Sequence, residues 1–212
     1  KIPGGKFVGT VILPPDTLGY YVYQLIERST TMEEGDGFPA PECSEGVSIY
    51  TAMSDVKYKS GDGPMNSPQA KVTYYIRDGA NVGVNPDKLD PAERSRRDAE
   101  SARDAKRLTS SIMGMEGGDK PYSELLRGVK RGILLGHVSG TMPRPDGEFS
   151  GALKNSFYVE DGEIKYPVIE TMVSGNLYDM FKNVEAISTE TVAESGGLFP
   201  WVALGGVTIM SA

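Results

Sequence analysis

Gly151–Ser188, GALKNSFYVEDGEIKYPVIETMVSGNLYDMFKNVEAIS, has the pattern of strand, tight turn, strand, Gly-Asn punctuation and short amphipathic helix. Phe157, Tyr158 and Val159 carry strand-forming side chains. Asp161-Gly162 is a hairpin signal because a two-residue turn needs positive φ. Glu163-Ile164-Lys165-Tyr166 resumes the polar–apolar alternation of a half-buried strand. Ser174-Gly175-Asn176 then opens a predicted helix whose Leu177, Met180, Phe181 and Val184 share one face.

At the other end of the chain, Lys6–Leu13 is almost continuously apolar towards its end and predicts a buried strand. Pro14-Pro15 stops it, and proline suits the first turn of a helix, where its missing N–H costs nothing. Asp16 is well placed at that helix's positive end, and Leu18, Tyr21, Val22, Leu25 and Ile26 repeat at helical spacing to Arg28. Thr30–Gly63, rich in Gly, Pro and acidic residues, predicts a long loop holding two strand candidates, Val47–Thr51 and Val56–Tyr58. Lys71–Ile76 is the clearest strand of this half, with Asp78-Gly79 as its turn. Asp87–Arg107 is a charged segment that Asp90-Pro91 starts as a helix, and its acidic residues interleave with the basic ones. A solvated, ion-paired helix is therefore preferred to a nucleic-acid-binding arm. Met113–Asp119 reads as a turn-rich link into a helix at Pro121-Tyr122, followed by a strand at Ile133-Leu134-Leu135 with His137 near its end. Trp201–Met210 alternates as a terminal strand, and Gly205-Gly206 marks a bulge. The expected fold is α+β: strand-dominated mixed or antiparallel sheets, barrel-like, with a few packed helices.

Composition excludes several classes. With 22 Lys and Arg against 29 Asp and Glu the net charge is −7, the wrong sign for a surface that tracks phosphates. No apolar run approaches the roughly 20 residues of a membrane span. One cysteine, Cys43, excludes an internal disulfide and suits a reducing compartment. One histidine and one cysteine are poor means for a zinc site, and the carboxylates show no cation-loop spacing. No phosphate loop or nucleophile elbow is present.

The order and identity of residues in 121–212 say more. The segment resembles the C-terminal domain of the TldD/PmbA family, once called modulators of DNA gyrase. Its members carry a run close to G-x-x-I-E-N-G-E-I-x-x-P-V-x-x-x-x-I-x-G-N-x-x-x-x-L-K-N-I. Here it stands as Tyr158–Ile164, Tyr166-Pro167-Val168, Ser174–Leu177 and Phe181–Val184. The likeness extends to Pro200–Ile209 and back to Tyr122–Ile133. The resemblance implies that residues 1–212 form a TldD/PmbA C-terminal domain. Residues 30–110 would be a variable loop and charged-helix insertion, 121–212 the best-matching core, and the family's N-terminal domain is expected to be absent from this chain.

In catalytic members the equivalent strand-to-helix junction carries His-Glu-x-x-x-His, whose histidines bind zinc. Matched to it, Pro15 takes the first histidine's place, Asp16 the glutamate's and Tyr20 the second histidine's. Proline has no side-chain lone pair, and a neutral phenol is a poor zinc ligand. The resemblance is thus to the noncatalytic PmbA/TldE branch, whose junction is of Pro-Glu-Ala type. The cysteine that catalytic members carry near their C-terminus is also missing from Glu190–Pro200. The resemblance implies a subunit of a cytoplasmic metallopeptidase system that processes unfolded or leader peptides. It would have no catalytic residue and no cofactor of its own, zinc being expected only in a TldD-type partner. The partner is a TldD-like paralogue or a second copy, with no nucleic acid and no membrane. Gly175, Asn176 and His137 are candidate peptide or partner contacts. Two alternatives stand beside this: an active peptidase whose atypical metal set includes Asp16, His137 and a second carboxylate, and a stand-alone homodimeric binding or scaffold protein.

Overall fold

A computed structural model describes residues 2–31, 41–54, 70–108, 110–141, 143–194 and 196–211. Its hub is the C-terminal strand β13 (Gly197–Ser211), which is long enough to take several partners. β1 (Lys6–Leu13) runs antiparallel along it from Lys6↔Met210 to Leu13↔Val202. The register slips between Gly9/Val11 and Val207/Leu204, leaving one extra residue on β13, where Gly206 has φ +78°. The bulge expected at Gly205-Gly206 is therefore present. On the other side of β1 lies β6 (Arg131–Leu134), parallel, then β9 (Phe157–Glu160) and β10 (Glu163–Pro167). The Asp161-Gly162 turn between the last two has φ +49° and +76°, both positive as its two-residue geometry requires.

From the start of β13 the sheet continues through β5 (Ser110–Met115), β2 (Ile49–Ser54), β3 (Lys71–Arg77) and the short β4 (Ala80–Asn81). A branch leaves its far end through β11 (Thr171–Asn176) to β8 (Glu148–Lys154) and β7 (His137–Thr141), and β12 (Val184–Glu194) pairs β13 antiparallel. The fold is α+β with one large mixed sheet, as expected, but the sheet stays open instead of closing into a barrel. The strand order ends on β10 and β4, which do not meet.

Helices cover both faces, which is why β1 is apolar on consecutive positions. α1 (Pro15–Thr31) packs Leu18, Val22 and Leu25 on the face that carries Val11, Leu13, Val202 and Leu204. Each such side chain contributes about 1.5–3 kcal/mol when fully buried. α3 (Tyr122–Gly128) lies on the other face, where Leu125 and Val129 meet Ile12, Val159 and Ala203. α2 (Pro91–Arg107) starts at an Asp90 cap whose Oδ1 accepts from the Ala92 and Glu93 amides. Its Glu93 takes both Arg96 and Arg97, and those hydrogen bonds hold the carboxyl down at about 2. The ion-paired surface helix is the one the interleaved charges predict. Tyr158, fully buried and stacked on Tyr166 at 5.3 Å, accepts from Arg131 Nε and donates to Glu160 Oε1, so β9 is locked to β6 by more than its ladder.

Several elements differ from expectation. Met113–Met115, placed in a turn-rich link, belongs to β5. Its Gly114 is needed because a Cβ there would lie 2.6 Å from the Tyr50 ring, a reason invisible locally. Ser174-Gly175-Asn176 opens a helix as expected, with Asn176 capping α4 (Leu177–Lys182), but the same three residues also finish β11, a strand that was not expected. Val184 is not on the α4 face but starts β12, because the helix closes at Asn183 and the chain is drawn onto β13. The Val56–Tyr58 strand candidate lies outside the described residues. No helix among those described is long and apolar enough to cross a membrane.

Candidate functional site

The junction from β1 to α1 forms one wall of a groove of about 510 Å³. Pro14 accepts the first helical bonds, from Thr17 N at 3.1 Å and Leu18 N at 2.8 Å, so Pro15 stands in the first turn and is buried. Asp16 is exposed, and its Oδ1 accepts from the Thr17 amide at 2.9 Å. The Thr17 hydroxyl donates to the Gly136 carbonyl at 2.8 Å, which ties α1 to the link between β6 and β7. That tie brings His137, exposed at the start of β7, into the lining of the same groove as Asp16. Tyr20, one helical turn beyond Asp16 and 40% exposed, lies edge-on to Tyr21 at 5.4 Å, and Tyr21 to Phe149 at 6.4 Å. Among the described residues the groove thus has an aromatic floor, one carboxylate and one imidazole.

Of the residues singled out in the sequence, Asp16, Tyr20 and His137 line this groove, and Pro15 lies buried just behind Asp16. Gly175 and Asn176 do not line it. Gly175 pairs with Phe149, behind the groove wall. Asn176 is a helix cap: its Oδ1 accepts from Tyr178 N at 3.0 Å and Asp179 N at 3.3 Å, and its Nδ2 donates to Asp146 O and Glu148 Oε1. With all its polar atoms engaged in structure, Asn176→Ala is expected to cost about 1–2 kcal/mol. Urea denaturation checks this, and a loss below about 0.5 kcal/mol would show that the cap is replaceable by water. No local sequence signal marks Phe149 or the Thr17–Gly136 tie as part of a site. Tyr21 belongs to the core-facing stripe of α1 that helical spacing predicts, and it also forms groove floor.

Pro15 and the phenols beside it are poor metal donors. Pro15 offers none, and burial raises the Tyr20 phenol. Burial, followed by the neighbouring Tyr20, pushes Tyr21 up to about 12, so both phenols are neutral at physiological pH. Among the described residues no three His, Cys, Asp or Glu side chains come together as a ligand set. Cys43 is free, half-buried and distant in sequence from the junction, and burial pushes its thiol up to about 12 against the pull of Lys182. A second groove, about 520 Å³, lies between α2 and β3, and its cations are each held by a carboxylate: Lys71 by Asp104 at 2.7 Å, Arg94 by Asp87, and Arg96 and Arg97 by Glu93.

Comparison with known proteins bears on this geometry. A family model described as the PmbA/TldA metallopeptidase C-terminal domain matches residues 88–211, and so takes in α2 as well as the later strands. A protein named Metalloprotease from Methanothermobacter thermautotrophicus is 22% identical over 204 residues, covering 89% of this chain and 44% of that protein. A Zinc metalloprotease TldD homolog from Saccharolobus solfataricus is 33% identical over 82 residues, 39% of this chain and 18% of that one. The crystal structure of TldE from Thermococcus kodakarensis superposes with a TM-score of 0.62 at 18% identity, over 99% of this chain and 52% of that chain, which shows a shared fold. The chain spans about half the length of such relatives. With residues 88–211, more than half of its length, matched by the family's own domain, this chain belongs to the PmbA/TldD metallopeptidase family.

Proposed function

We propose that the chain acts as a PmbA/TldE-like subunit with no zinc centre of its own, in a cytoplasmic peptide-processing system whose metal is held by a TldD-type partner. One observation carries the reading. At the strand-to-helix junction, where the family's catalytic members place two histidines, this chain has a buried proline and a neutral phenol. The groove beside it suits an unfolded peptide. β7 pairs only with β8 among the described strands, so its outer edge offers backbone groups to an added strand, and side chains of that strand can enter the groove. Such recognition needs main chain more than special residues, which agrees with the lack of a conspicuous motif.

The test is zinc content together with cleavage of an unstructured peptide, by the purified protein alone and after a TldD-type paralogue is added. Zinc well below one per chain is expected, with no cleavage alone and cleavage with the partner. Stoichiometric zinc, with chelator-sensitive cleavage abolished by Asp16→Asn, would instead establish the atypical metallopeptidase. A stable homodimer that recruits no TldD-type companion in its native host would favour the scaffold alternative.

A further inference from the structure

Resting on the reading that this groove takes peptide, we infer that it selects a cationic group, a lysine or arginine side chain or a free N-terminal ammonium, beside the strand that β7 receives. The lining decides the sign. Among the described residues Asp16 is the one carboxylate on the groove, and no lysine or arginine lines it. One of its oxygens accepts from Thr17 N, and no described residue donates to the other. The amino-terminal dipole of α1 opposes this with roughly half a positive charge, so the groove keeps a net negative character. Tyr20, Tyr21 and Phe149 add ring faces that attract a cation within about 6 Å of their centroids. Of these Tyr20 is the accessible one, since Tyr21 and Phe149 are buried and form the floor.

Size and long-range field agree. A volume of about 510 Å³ falls within the roughly 300–1,000 Å³ of small-ligand sites and admits a long side chain with its flanking backbone. The net charge of −7 attracts a basic segment before contact and repels an acidic one. The groove under α2 is a useful contrast: four cations line it, Lys71, Arg94, Arg96 and Arg97, and all four are already paired with carboxylates. Arginine should be preferred to lysine, because its flat guanidinium can stack on Tyr20 while reaching the Asp16 carboxylate.

The experiment uses fluorescent, Gly/Ser-rich, acetylated and amidated peptides that differ only in a central arginine, norleucine or glutamate. Binding is read by anisotropy at low and high salt. A further norleucine peptide with a free amino terminus separates an ammonium from a side chain. Arginine is expected to bind roughly tenfold tighter than norleucine, with glutamate weakest and the gap narrowing as salt rises. Asp16→Asn should remove most of the arginine preference, Tyr20→Ala should reduce it, and Tyr20→Phe should keep it; circular dichroism confirms that each variant is folded. If the free-amine norleucine peptide alone gains affinity, the cation read is the peptide terminus. Norleucine binding as tightly as arginine, or a preference that survives Asp16→Asn, overturns the inference in favour of an apolar slot. Failure of every peptide to bind overturns it too, whereas the zinc-free reading stands or falls on metal content alone.

Discussion

Replacing Phe199 by alanine is expected to destabilise the protein by about 3–5 kcal/mol, as much as truncating any single core side chain costs. The side chain is 1% exposed and sits on β13, the strand that carries β1, β12 and a parallel contact to β5. Its ring lies where α1 crosses that strand, against Gly19 and over Gly197. Removing it empties a space between helix and sheet that neither can close, because α1 is pinned at its start by the Thr17–Gly136 bond and β13 by neighbours on both sides. Urea denaturation should show a lower midpoint with an unchanged slope. A loss under about 1 kcal/mol would mean that α1 settles onto β13 without the ring.

The same contact explains a residue that local rules disfavour. Glycine in mid-helix costs about 1 kcal/mol relative to alanine, yet Gly19 stands in the second turn of α1. A Cβ there would lie 2.9 Å from Phe199 Cε2, closer than carbon atoms tolerate. Gly19→Ala should therefore destabilise the native protein by about 1–2 kcal/mol. In the Phe199→Ala background the clash is gone, and the same change should be neutral or stabilising. A double-mutant cycle reads the difference as coupling between the two sites, and simple additivity would refute the account.

What could be read from the chain alone was what local chemistry fixes. The β1 run, the Pro-Pro helix start, the two Asp-Gly turns, the Asp90 cap and the Gly205-Gly206 bulge each rest on φ restrictions or side-chain spacing within a few residues. β5, β11 and β12 were obscured because their strand character comes from partners far away in sequence. Ser174–Asn176 is rightly helix punctuation, but its strand role appears only once β8 is found beside all three residues and β13 beside Ser174. The candidate site divides the same way. Asp16 and Tyr20 fall on one side of α1 by helical spacing, which a sequence shows. His137 joins them only because Thr17 reaches across 119 positions to Gly136, and Phe149 only because β8 folds back along β7.

Gly136→Ala is expected to cost about 3 kcal/mol and to disorganise the groove. Gly136 lies in the link between Leu134 of β6 and His137 of β7, where a Cβ would overlap the carbonyl of Asn155. Asn155 cannot easily retreat, since it occupies the left-handed turn at φ +50° between β8 and β9. Any displacement also strains two bonds: the Gly136 amide donates to Ser156 Oγ at 3.0 Å, and its carbonyl accepts the Thr17 hydroxyl at 2.8 Å. Overpacking of about 1–3 kcal/mol adds to the roughly 1 kcal/mol that each weakened bond contributes. Because Thr17 and His137 are both held by this link, the peptide binding proposed for this groove should weaken even in buffer where the variant remains folded. Gly128→Ala is the matched control, since nothing lies within 4 Å of a Cβ at that position on the last turn of α3. It should leave both stability and binding nearly unchanged. Equal behaviour of the two variants in denaturation and in peptide titration would show that the β6–β7 link has room to move, and that its close approach to Asn155 is not what holds His137 in the groove.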